Sequence, residues 1–216
     1  MMTDWRLLQW MDSAFPTGGY AHSSGLEVWA HHAPKGAPLR DAIHAMARSY
    51  AGFALPFVRM AFERDAARDP ASFHAVDEEL DASMWGTTAN RASRTQGRAL
   101  FAATVRSFPR DPRVVAAAAL GAERSRPLHH AVVFGAFARI FTDDAEHAAS
   151  LALFAFTRGA ISAAVRLNLV GPFAAQELLA EAESAPLATA APATSAPWFD
   201  LLAEHHPKLH TRLFSS

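Results

Sequence analysis

The chain has 216 residues, half of them hydrophobic and 19% charged, with a formal net charge of -1, 48 alanines and no cysteine. That length can bury one sizeable core, and the lack of cysteine excludes disulfide scaffolds, thiolate zinc sites, iron–sulfur clusters and thiol nucleophiles. The near-zero net charge and a pI near 6.8 argue against nucleic acid as a partner, because neutralising several phosphates needs a basic surface.

Valine and isoleucine together number 13 against those 48 alanines, so local propensity favours helix almost throughout. The first eleven residues carry Asp4 and Arg6 and no apolar run of the kind a secretory signal has. The longest strongly apolar stretches, 114–122 and 148–157, are about half a membrane span. A soluble cytoplasmic protein, with no membrane as partner, is the expectation.

In chain order, helices are predicted at 4–11, 26–32, 39–65 with a break before Pro56, 71–84, 88–108, 112–124, 128–141, 143–170, 172–183 and 197–204. Proline and glycine clusters at 16–19, 34–38, 109–112 and 171–172 separate them. In 143–170 the side chains Leu151, Phe154, Ala155, Ile161, Val165 and Leu169 recur at steps of three, four and six, the pattern of a long buried helix. The fold class is therefore all-α, a single-domain bundle of about ten helices. The helical core covers 1–183, an Ala/Pro-rich hinge covers 184–197, and a last helix with a partner-binding tail covers 198–216.

Catalytic signatures do not assemble. Neither Lys35 nor Lys208 follows a Gly-rich phosphate loop, and no G-x-G-x-x-G occurs. No Glu has a His three residues later, H-E-x-x-H is absent, and there is no G-x-S-x-G elbow. The pairs His31-His32, His129-His130 and His205-His206 are adjacent in sequence. Neighbours on a helix diverge by about 100°, so such pairs read as surface or capping histidines before ligands. No catalytic residue, metal ligand or cofactor is assigned, and surfaces are left to carry the function.

Two segments stand out as surfaces. In Phe15-Pro16-Thr17-Gly18-Gly19-Tyr20, two glycines after a proline call for positive φ, with aromatic bulk on either side. Ser23 or Ser24 is placed to cap the helix that Gly25, Leu26 and Glu27 open. In 90–100, Arg91, Arg94 and Arg98 form one basic stripe, while Ser93 and Gly97 permit close approach of another element. Acids crowd 63–81 and 143–204, and nine arginines lie in 91–139. Pairing between neighbouring helices explains that segregation as well as docking of a charged partner does. The closing Arg212-Leu213-Phe214 sets a cation beside two large apolar side chains, the chemistry of a binding anchor.

These residues carry a resemblance. Leu7-Leu8-Gln9, then 15–20 and Ser24-Gly25-Leu26-Glu27, resemble the opening signature of the urease accessory protein UreF family. Ser93 with Gln96-Gly97-Arg98 and Leu100, the run His130 to Gly135, Arg166-Leu167, and Thr211 to Ser216 are similar to its later motifs, in the same order. The chain departs at 168–173, where the family commonly has a Pro-Leu-Gly-Gln turn, at Ser24, often a tyrosine, and at Asn90, usually basic.

The resemblance implies an all-helical, dimeric, non-enzymatic chaperone. Such a protein binds UreH (also called UreD), recruits the nickel-carrying GTPase UreG and couples its GTP-dependent state to nickel insertion into apo-urease. It implies partner-binding roles for Phe15, Pro16, Gly18, Gly19, Tyr20, Gly25, Glu27, Arg91, Arg94, Arg98, Arg212, Leu213 and Phe214, with the last three ordered on binding UreH. The competing expectation is a helical-bundle enzyme holding a metal or small cofactor through its histidines.

Overall fold

The computed structural model describes residues 5–64, 66, 68–84, 86–121, 125–182 and 197–215, with backbone alone at 197–200. Among them are ten α-helices and no strand: α1 Trp5–Met11, α2 Leu26–His32, α3 Leu39–Glu63, α4 Pro70–Ser83, α5 Thr87–Ser107, α6 Pro112–Ala117, α7 His130–Ala138, α8 Ala145–Arg166, α9 Pro172–Ala182 and α10 Pro197–His205. The hinge expected at 184–197 lies outside the described residues, apart from Pro197 at the start of α10.

Several ends follow from local chemistry. Asp69 and Asp111 each accept from a backbone N–H of the first turn of α4 and α6, at Ser72 (3.1 Å) and Arg113 (2.9 Å). A proline follows each cap at the position where a missing N–H costs nothing. Asn168, at φ 57°, closes α8: its N–H reaches the Val165 carbonyl and that of Leu169 reaches Ala164, both at 3.0 Å. This left-handed cap is open to asparagine as well as glycine.

Three expectations are corrected. Pro56 lies inside α3 without ending it. The buried residues around it, Ala51, Leu55, Val58 and Ala61, hold the helix through the roughly 3 kcal/mol that an interior proline costs. The helix expected at 112–124 stops at Ala117, followed by a 3₁₀ turn over 118–121. α8 ends at Arg166, so Leu169 of the expected buried stripe lies beyond it; Phe154 is exposed, Ile161 is buried as expected, and Ala148, Ala149, Ala152, Leu153, Ala160, Ala163 and Ala164 are buried as well.

The chain forms two compact units. The first comprises Met1–Gly18, Phe57–Trp85 and Ser93–Ala152. Its core is aromatic: Trp10 packs on Phe134 and Phe141 with centroids 4.6 and 5.1 Å away, and Phe108 meets Phe141 edge-on and Phe15 face-on. The Trp10 Nε1 donates to Thr104 Oγ1 at 3.0 Å, giving the buried indole its partner. Gly135 of α7 lies against the Val58 carbonyl, 2.2 Å from where a Cβ would stand, so no other residue fits without moving backbone.

The second unit comprises Gly19–Pro56, Gly86–Ala92 and Leu153–Ser216. Leu26, Val28, Ile43, Met46, Ile161, Leu202 and Phe214 form its core together with Ala160, Ala163 and Ala164 of α8. Tyr50 stacks on Phe156 at 4.3 Å, and burial pushes its phenol well above the ordinary tyrosine value. Glu204 of α10 accepts from the Thr88 N–H at 2.7 Å and the Thr87 hydroxyl at 3.0 Å, capping the start of α5. By length and composition α8 qualifies as a membrane span, yet half of its apolar window is buried in the protein.

Candidate partner-binding site

In the second unit, the loop ahead of α2 uses positive φ at Ser24 (52°) and Gly25 (87°). The N-cap of α2 is Gly25 and has no side-chain cap; the expected serine contributes only as Ser23 Oγ, accepting from the Glu27 N–H at 3.4 Å. This turn sends Glu27 inward, where it is almost fully buried. A buried carboxylate needs donors to offset its lost hydration, and Glu27 has three. His206 Nε2 lies 2.7 Å from Oε2, the Leu213 N–H donates to Oε1 at 2.5 Å, and the Phe214 N–H donates to Oε2 at 3.3 Å.

Arg166, in the last turn of α8, stands between two rings, 3.8 Å from the centroid of Tyr20 and 4.4 Å from that of Phe214. It also donates to the Tyr20 carbonyl. The Ser215 N–H reaches the Ala21 carbonyl at 2.7 Å. Residues 213–215 are thus held by contacts from this chain itself. Phe214 is buried, while Tyr20 (75% exposed), Leu213 (61%) and Arg212 face outward. His22 is pushed below the ordinary histidine value by burial, with His206 adding repulsion.

In the first unit, Phe15 is buried and stacks on Phe108, Pro16 is exposed, and Gly18 takes φ 74°. The close approach expected at Gly97 is present: a Cβ there would stand 1.8 Å from the Leu128 carbonyl oxygen and 2.7 Å from His130 N. This packing sets the start of α7 against α5. Asp77, fully buried, accepts from the Leu128 and His129 N–H groups at 2.6 and 2.8 Å. His129 Nδ1 lies 3.0 Å from Ser93 Oγ and its Nε2 lies 3.0 Å from Asp81. The surface position expected for histidine pairs is therefore wrong for His129 and His206, which are both fully buried, while His129 does stand at the N-cap position of α7, without a side-chain cap hydrogen bond.

The Ser93–His129–Asp81 chain has the residue types of a nucleophile triad. Its imidazole is fully buried with both nitrogens engaged, and Ser93 Oγ also meets the His130 N–H at 3.4 Å. That arrangement braces α4, α5 and α7. Of the arginine stripe, Arg94 pairs with Asp81 at 3.5 Å, Arg98 donates to the Arg126 carbonyl at 2.8 Å, and Arg91 is exposed on the stretch of α5 that belongs to the second unit. Among the described residues, no three His, Asp or Glu side chains converge as metal ligands.

Many of the motif residues thus sit at turns, close approaches and buried polar braces. A family model of UreF matches residues 35–183. The chain belongs to the UreF family. It is 34% identical over 175 residues to urease accessory protein F of Arabidopsis thaliana, covering 79% of this chain and 71% of the plant protein. It is 32% identical over 231 aligned positions to urease accessory protein UreF of Rhodopseudomonas palustris strain BisA53, covering 98% of this chain and 92% of that one. Urease accessory protein F of Oryza sativa subsp. indica is 34% identical over 178 residues. The UreF match begins at residue 35, so the Glu27 turn and the 206–215 segment lie beyond the part the family model covers.

Proposed function

We propose that the chain is a non-catalytic accessory protein of urease maturation. It binds a partner of the UreH/UreD kind, and together they recruit the nickel-carrying GTPase UreG and couple its GTP-dependent state to nickel insertion into apo-urease. It acts as a homodimer in the cytoplasm, with no cofactor of its own. The observation that carries this reading is the family match across residues 35–183, joined by relatives named as urease accessory proteins over almost the whole chain.

In the second unit the proposed contacts are the exposed Tyr20, Arg91, Arg212 and Leu213, with Gly19 in the loop; in the first unit they are the exposed Pro16, Gly18 and Arg98 and the partly exposed Arg94. Phe15 is buried in the first unit and Gly25, Glu27 and Phe214 in the second, and each supports the contacts of its own unit. An anchor that is already folded loses less conformational entropy on binding than a free tail.

Copurification of the tagged chain with its UreH-type partner tests this. Replacing Leu213 and Arg212 by alanine lowers recovery of the partner, and removing 207–216 lowers it further. Equal recovery from the truncated chain would overturn the role given to this segment.

A further inference from the structure

We propose that Ser93, His129 and Asp81 form a one-way hydrogen-bond relay that makes the junction of α4, α5 and α7 sensitive to acid. All three residues lie in the first unit, and no partner is involved.

The direction of the relay follows from what each group can give. Asp81 carries a carboxylate, paired with the Arg94 guanidinium at 3.5 Å, and a carboxylate only accepts. Its 3.0 Å contact with His129 Nε2 therefore places a proton on Nε2. In the neutral ring Nδ1 is then bare, so the 3.0 Å contact with Ser93 Oγ runs from the hydroxyl to the ring. Ser93 Oγ in turn accepts from the His130 N–H at 3.4 Å. One protonation state thus serves the α7 backbone, the serine, the imidazole and the carboxylate in a single line.

A second proton on the ring breaks that line. With hydrogen on both nitrogens, Nδ1 no longer accepts from Ser93, and a positive charge sits on a fully buried side chain. From α4, Asp77 and Asp81 attract that charge, while Glu78 is engaged with Arg126. From α5, Arg94 repels it, and Arg98 is directed at the Arg126 carbonyl. On α7 itself the neighbouring His130 is half-buried. Burial outweighs the two attractions and holds the ring below the ordinary histidine value. The start of α7 depends on this cluster: its N-cap, His129, makes no side-chain cap hydrogen bond. The amides of Leu128 and His129 go to Asp77 and that of His130 to Ser93.

Ring NMR and amide hydrogen exchange on the full chain test the relay. At neutral pH His129 is the Nε2–H tautomer, and Nδ1 shows the shift of an unprotonated acceptor nitrogen. Protection at Leu128, His129 and His130, measured against free-peptide rates at each pH, is complete above 6.5. It falls on acidification by up to about tenfold per pH unit, the limit for one proton, while the α8 amides keep theirs. Ser93→Ala removes the hydrogen bond that favours the neutral ring and moves the His129 midpoint up. Ser93→Thr, which keeps the hydroxyl, restores it. An Nδ1–H tautomer in the wild-type chain would overturn the proposal. So would a midpoint that Ser93→Ala leaves in place, or protection at 128–130 that tracks the α8 amides at every pH.

Discussion

A Cβ built on Gly97 stands 1.8 Å from the carbonyl oxygen of Leu128, a separation that no rotamer change can relieve, because the obstacle is backbone. Gly97→Ala therefore pushes the start of α7 away from α5 and disturbs the Asp77 and His129 braces together. A loss of about 1–3 kcal/mol is expected, seen as a lower urea midpoint. Gly159 is the internal control: it is exposed in α8 with nothing within 4 Å of its Cβ position. Gly159→Ala there stabilises by about 0.5–1 kcal/mol.

Asp77 serves two backbone donors at the start of α7, one on each oxygen. Asp77→Asn turns one of those acceptors into a donor that faces another donor. The expected cost is about 1–3 kcal/mol, with faster amide exchange at Leu128 and His129 and no comparable change at 213–215.

His129 is held below the ordinary histidine value of 6.5, first by burial, which outweighs the attraction of Asp81 and Asp77; Arg94 adds repulsion. The folded value is the depressed one, so the stabilisation from keeping this ring neutral is complete above 6.5 and is lost as pH falls through the folded value. An NMR titration of the His129 ring nitrogens gives a midpoint below 6.5, and thermal stability falls on acidification across that range. A midpoint at or above 6.5 contradicts the assignment.

Much of this architecture was legible in the sequence, and the exceptions have physical causes. Helix positions came from propensity and from proline and glycine punctuation, which act locally. Pro56 misled because burial on either side of it is a tertiary effect that overrides a local penalty. The inner face of α8 was read in part, since Ile161 is buried, but its alanines were missed because large apolar residues draw the eye, whereas closely packed helices bury their alanines. His129 and His206 were misread because their partners lie 48 and 179 residues away, at Asp81 and Glu27, beyond the reach of any periodicity. Gly97 was legible: a glycine inside a strong helical pattern costs stability, so something close by had to require it.

Arg59 and Glu146 form a two-pronged pair at 2.6 and 2.7 Å, which holds the Glu146 carboxyl below its usual range. The Glu146 side chain is 67% exposed, so solvent screens the attraction. Arg59→Ala is expected to cost about 0.5–1 kcal/mol at low salt, and less in 1 M salt. Denaturation at the two salt concentrations measures both.

The role in urease maturation is tested most directly by the metal content of urease. Urease purified from urease-producing cells that lack this chain should contain little nickel and have little activity, and both should return when the wild-type chain is supplied. Urease that is fully loaded with nickel and active in its absence would contradict the account.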